Sequence, residues 1–175
     1  MSWSIPKTWG YKETLSSSDM NTYITDNLNA LRDGSGIANG AITMPLISNP
    51  YKMRAYQNSA WTTPDNVFAK TTLDTNNYDT NNNFSGSTYT VPVTGYYHIC
   101  GVTGGGAVGR VRAAIYKNGA PAAMGSDNSY FSSVSTELYL TAGDTIELWT
   151  FTASAQTGGT GSDSVFLAIH LISKT

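Results

Sequence analysis

Apolar and polar residues alternate through most of the chain after residue 50, and in one stretch both alternating sets are large. From Ser87 the chain reads STYTVPVTGYYHICG. Tyr89, Val91 and Val93 fall on one side of a strand at period two, and Pro92 and Gly95 punctuate the run. Beyond them Tyr97, Ile99 and Gly101 share one side, and Tyr96, His98 and Cys100 the other. A strand with bulky groups on both faces needs two partners. One face packs on the chain's own core; the other needs a second sheet, a helix or another subunit. The stretch therefore predicts a subunit of an assembly.

Strands are predicted at 52–56, 67–73, 89–93, 95–102, 110–117, 132–140, 145–152 and 164–172, separated by turn signals. Many short strands at this spacing indicate an all-β sandwich or barrel. Asn118-Gly119 predicts a tight hairpin turn, because both residues tolerate positive φ. Ala142-Gly143-Asp144 predicts a second turn. The run DTNNYDTNNN, 74–83, reads as a polar loop, and 104–106 and 156–163 read as flexible loops. In 145–152, Ile146 and Leu148 alternate with Glu147, Trp149 and Phe151; in 164–172, Leu167 and Ile169 alternate with Phe166, Ala168 and His170. Burying one aromatic is worth about 1.5 to 3 kcal/mol, and several left wet form an adhesive patch. Tyr96, His98, Trp149, Phe151 and Phe166 are accordingly the candidates for a contact between copies, with symmetric self-association as the simplest cover.

Residues 1–50 follow a different pattern and are taken as a separate arm, helix and linker, with the β domain spanning 51–175. Ser16 and Asp19 form an acidic capping box, and Leu15 with Met20 forms a hydrophobic staple. Met20, Tyr23, Ile24, Leu28 and Leu31 then lie at helical spacing, which predicts a helix of about seventeen residues ending before Gly34. Asn21, Asn27 and Asn29 weaken it, so it needs a packing partner. Residues 33–50 read as a linker. Ahead of the helix, Trp3, Ile5, Trp9 and Tyr11 are too apolar for a free tail and have no period, which suits an extended arm that docks on another protein.

Composition narrows the chemistry. Charged residues are 13% of the 175, about half the usual share, and the net charge is −2. No field favours nucleic acid or a membrane surface, and neither is expected as a partner. The N-terminus lacks the apolar core of a secretory signal, so maturation in a cytoplasm is expected. Cys100 is the one cysteine and His98 and His170 the two histidines. No nucleophile motif, phosphate loop or zinc spacing is present, so neither an enzyme nor a cofactor is expected. Asp74, Asn76 and Asp79 supply hard oxygens for a ligand loop, but their spacing fails the twelve-residue calcium pattern and no metal is assigned. Arg110 and Arg112 are expected to pair with Glu137 or Glu147.

Five ordered segments carry a family resemblance. They are VFAKTTLDTNNYDTNNNF; TYTVPVTGYYHICG, with Pro92, Gly95, Tyr97 and Ile99 at the marked positions; AAIYKNG, with Ile115, Lys117, Asn118 and Gly119; STELYLTAGDTIELW, with Leu138, Leu140, Gly143, Asp144 and Ile146; and SVFLAIHLI, with Phe166, Ala168 and Ile169. Over residues 52–172 the chain resembles the globular head of complement's first component, the C-one-q head, and the related tumour necrosis factor jelly roll. Ile99 stands where that pattern has an aromatic and Ala168 where it has a glycine, and no Gly-X-Y stalk accompanies the domain. The resemblance implies a ten-stranded jelly roll in a tight threefold homotrimer, and the outward residues Tyr96, His98, Trp149, Phe151 and Phe166 are then the candidates for its interface.

The segment PKTWGYKETLSSSDMNTYITDNLNALRDG is similar to the opening segment of many bacteriophage virion and tail-associated proteins. The shared residues are Pro6, Thr8, Trp9, Glu13, Leu15, Asn21, Ile24, Asp26, Asn27 and Leu28. That similarity implies virion anchoring through Trp3, Ile5, Trp9 and Tyr11 to other capsid or tail proteins. The expected protein is a non-enzymatic virion component, a capsid decoration or a head or tail fibre, assembled in the host cytoplasm. A second reading is a receptor-binding tip that grips a host surface glycan through 74–83 and 156–163. A polysaccharide-degrading enzyme is a third.

Overall fold

The computed structural model describes residues 14, 16–25, 28–29, 51–105 and 109–175. The chain divides into two units, Met1–Ser48 and Asn49–Thr175. In the first, Ser16 caps helix α1 (Ser17–Asp19): its hydroxyl accepts from the Asp19 N–H at 3.1 Å, and its own N–H donates to the Asp19 carboxylate at 3.2 Å. The backbone then widens into a π-helical stretch, Met20–Thr25, in place of a continuous α-helix. Asn and Thr compete for backbone hydrogen bonds, which weakens the regular ladder there. Met20, Ile24 and Leu28 of the expected apolar stripe are exposed. Trp3, Ile5, Trp9, Tyr11 and the 33–50 linker lie outside the described residues.

The second unit is a two-sheet jelly-roll sandwich. Its strands are β1 (Lys52–Tyr56), β2 (Thr62–Thr63), β3 (Phe68–Lys70), β4 (Thr75–Asp79), β5 (Phe84–Ser85), β6 (Thr88–Thr90), β7 (Gly95–Gly104), β8 (Val111–Lys117), β9 (Ala120–Met124), β10 (Phe131–Leu140), β11 (Thr145–Thr152), β12 (Gln156–Thr157) and β13 (Phe166–Lys174). One sheet runs β10-β7-β13-β1-β4; the other runs β5-β6-β11-β8-β9, with β3 also paired to β11. Together they make the expected jelly roll with eleven strands, one more than the ten expected, because the short β3 adds to the second sheet. A short β12-β2 ribbon closes one end.

The alternation read from the sequence sets the core. Tyr89, Val91, Tyr97, Ile99, Ile115, Ile146, Leu148, Leu167 and Ile169 are all buried between the sheets. The sheets approach closely at Gly101, where a Cβ would lie 2.8 Å from a Leu148 methyl. The Tyr97 hydroxyl donates to the Val93 carbonyl at 2.7 Å, pinning the turn that opens β7. Asn118 and Gly119 both have positive φ, 51° and 78°, as a two-residue hairpin between β8 and β9 requires.

Two polar segments are more ordered than expected. Residues 75–79 are not loop but edge strand β4, paired to β1. Its Asn-rich side chains face solvent on an edge, so no apolar alternation marks it. Gln156 and Thr157, expected in a flexible loop, pair with Thr63 and Thr62. A seam of threonine hydroxyls crosses the core beside this ribbon: Thr71 and Thr150 are 2.7 Å apart, Thr150 also bonds Thr103, and Thr152 donates to Thr63 at 2.8 Å. All five are buried.

Candidate functional site

The two outer faces of the sandwich differ in how far the chain covers them. On the second sheet, Trp149 stacks on Tyr116 with centroids 4.3 Å apart, and Phe151 and Tyr116 both meet Phe68, at 5.4 and 6.2 Å. Arg110 lies over Phe151. The Trp149 N–H donates to Glu147 at 2.8 Å, and Glu147 also accepts from Thr88 and Lys70. Burial alone raises the Glu147 carboxyl, but these three donors outweigh it and hold the group below the usual carboxylate range. Trp149 and Phe151 are thus half-buried within their own chain.

On the first sheet the outward residues of β7, β10 and β13 stand open. Tyr96 and Tyr139 meet edge to face at 5.4 Å, and each remains about half exposed, 48% and 49%. Tyr78, Phe131 and Ile172, on the same sheet, are exposed too. Below the tyrosine pair runs a cross-strand row of β10, β7, β13 and β1: Glu137, His98, His170 and Lys52, each register partner to the next. The two imidazoles are 5.1 Å apart, and His98 Nδ1 is 3.8 Å from Glu137. Burial lowers the His170 pKa, the neighbouring His98 lowers it further, and Glu137 opposes both. In the next row Cys100 is half-buried, its thiol raised by burial against the weaker pull of Arg54. Arg54 itself is held over the Phe166 ring at 4.2 Å, donating to Asn77 at 2.7 Å and to the Ser162 carbonyl.

Of the five aromatic and histidine candidates, the structure therefore brings Tyr96, His98 and Phe166 onto one face and places Trp149 and Phe151 on the opposite sheet. Alternation assigns a residue to a face of its strand; it does not say which sheet the strand joins. Tyr139 and Glu137 complete the open face. Their signal was the outward set of 132–140, which ends on an aromatic.

The ligand-loop candidates have structural duties. Asp74 accepts the N–H groups of Asn58 and Ser59 at 2.7 and 2.9 Å, and Asp79 accepts that of Phe84 at 2.9 Å. The Ser59 side chain is the main cause of the lowered Asp74 pKa, and the Asn58 and Ser59 N–H groups add to it against the opposing effect of burial. Asn76 is exposed, and with Asp74, Phe84 and Ser87 it lines an open cleft of about 460 Å³. Among the described residues no three His, Cys, Asp or Glu side chains converge as metal ligands. Arg110 and Arg112 meet Asp127, at 2.8 and 3.9 Å, rather than Glu137 or Glu147, because the chain after β9 returns beside β8.

No protein-family model matches the chain, and no curated protein matches it significantly. Solved structures do. The chain is similar to murine APRIL with a TM-score of 0.59 and 13% identity, covering 71% of this chain and all of that one. It is similar to Eiger TNF from S. frugiperda at 0.58 and 10%, covering 72% and 94%. It is also similar to the globular domain of zebrafish complement 1qA at 0.55 and 17%, covering 73% and 100%. At these identities the likeness is one of fold, and residues 51–175 have the jelly-roll fold of the tumour necrosis factor and complement heads.

Proposed function

We propose that the chain is a non-enzymatic structural protein of a bacteriophage particle, a homotrimer that displays its jelly-roll head and is anchored by its N-terminal arm. The observation that carries the trimer is the uncovered face of the five-stranded sheet, with Tyr96 and Tyr139 half exposed while the other sheet covers its own aromatics. A patch of this kind marks a contact surface. The fold adds weight, because the resemblance to the tumour necrosis factor and complement heads implies threefold assembly. The virion role rests on the ten residues from Pro6 to Leu28 that match the phage-type opening segment, and on the capping box that fixes the start of its helix.

The test is incorporation. Particles assembled with the full chain are expected to carry it in purified virions, detected by mass spectrometry, whereas a chain lacking residues 1–14 is expected to be absent from particles yet soluble and folded. Equal incorporation of both would overturn the anchoring role, and absence of the full chain from particles would overturn the virion assignment.

The cleft beside Asn76 and Phe84 favours one second reading. An aromatic ring next to an exposed amide suits a sugar, so the head would also grip a host surface glycan. Binding of the full chain to a glycan array, lost on Phe84→Ala, supports it.

A further inference from the structure

We propose that the open face of the five-stranded sheet is a proton-sensitive contact between copies of this chain: it holds while the cross-strand pair His98–His170 is neutral and loosens when the pair takes up protons. The inference rests on the reading of that face as the subunit contact. The pair sits in the middle of the face, on adjacent strands β7 and β13, with ring centroids 5.1 Å apart. Every neighbouring strand contributes a group to its surroundings. Glu137 of β10 flanks His98, Lys52 of β1 flanks His170, and Tyr96 and Cys100 lie on either side of His98 along β7. One proton on the pair is compensated by Glu137. A second has no such partner among the described residues: it places two cations with ring centroids 5.1 Å apart, with Lys52 as the third charge in the row.

A second copy fits this face by charge as well as by its exposed rings. The row carries an anion at the β10 end and a cation at the β1 end, with the neutral pair between them. Opposite rims of this kind complement one another head to tail, the arrangement that closes a cyclic ring. Covering the face removes the imidazoles from water, which disfavours their charged form beyond the lowering already present at His170. The assembled state then binds fewer protons than the free subunits. The contact is at full strength above the ordinary histidine pKa of about 6.5 and weakens as pH falls below it, through the lowered pKa of His170 in the free subunit.

The experiment is sedimentation velocity of the full chain over a concentration series at pH 7.5 and pH 5.5, at one ionic strength. At pH 5.5 carboxylates remain ionised. With the ordinary histidine pKa of about 6.5 in the middle of this range, each copy that sheds one proton contributes up to about tenfold between the two pH values, so assembly of three copies is expected to weaken by several-fold per copy, up to about 1,000-fold in all. His98→Gln/His170→Gln is expected to associate equally at both. As a readout independent of that variant's folding, the histidine ring resonances of wild type are expected to titrate at a lower pH in concentrated than in dilute solution. A monomeric wild type at pH 7.5 would overturn the contact itself. Association that is unchanged by pH, histidine titration independent of concentration, or a double variant as acid-sensitive as wild type would overturn the proton link and leave the contact standing.

Discussion

Thr150 lies 2.7 Å from Thr71 and also bonds Thr103, so one hydroxyl joins three segments inside the core. Thr150→Val keeps the shape and removes the shared partner, leaving two buried hydroxyls unsatisfied. A loss of about 1 to 3 kcal/mol is expected, read as a lower urea midpoint with an unchanged slope. A loss below about 0.5 kcal/mol would mean that Thr71 and Thr103 find each other or water instead. Little of this seam was legible beforehand. Threonine is common on both faces of strands, and nothing in Thr63, Thr71, Thr103, Thr150 or Thr152 singly marks it as buried. Tyr97 and Ile99 were legible, because each stands in an unbroken alternation between turn residues. At Gly95 the requirement is steric: a Cβ would lie 2.3 Å from the Ser173 carbonyl oxygen, where the end of β13 crosses.

Among the elements, the β8–β9 hairpin joins the turn before β11 through side chains. Asn118 accepts from the Thr145 N–H at 2.8 Å and donates to Asp144 at 2.7 Å, while Lys117 pairs with Asp144 at 2.9 Å. Burial raises the Asp144 carboxyl, but the contacts with Asn118, Thr141 and Lys117 prevail and lower it. Its stabilising contribution is therefore present above the usual carboxylate pKa and lost as pH falls through the depressed one. Asn118→Val removes the side-chain bonds and puts a β-branched residue at φ 51°. A thermal midpoint lower by several degrees is expected by calorimetry, from a cost of roughly 1 to 3 kcal/mol. Turns written as Asn-Gly announce themselves, as does the Ser16–Asp19 cap, since each is a local rule. Edge strand β4 and the π-helical stretch do not: the first is solvated, and the second departs from the periodicity that predicts a regular helix.

Over the whole molecule, the proposed contact falls on the side of the sandwich whose rings the chain leaves open. Tyr116, Trp149, Phe68 and Phe151 cover one another, whereas among the described residues the ring contact of Tyr96 and Tyr139 is with each other. Tyr139→Asp is thus expected to yield folded monomers by light scattering, with a near-native melting temperature. Trp149→Asp is expected to lower the melting temperature, because it unstacks Tyr116 and sets a carboxylate beside Glu147, with any loss of assembly following from unfolding. The reverse pattern would move the contact to the second sheet. Strand order was beyond reach of the sequence pattern, and it alone separates these two sets of aromatics.

Strands β1 and β13 are neighbours, and Lys174 lies over the Tyr51 ring at 5.2 Å. The polypeptide therefore enters and leaves its β domain at the same pole. A circularly permuted version, joined from residue 174 to residue 51 by a few flexible residues and reopened at the Asn118-Gly119 bend, would preserve every sheet pairing except that one hairpin. Cargo fused after Thr175 would emerge at the pole where β1 begins, while a peptide spliced in at residues 158–163 would be carried at the far pole.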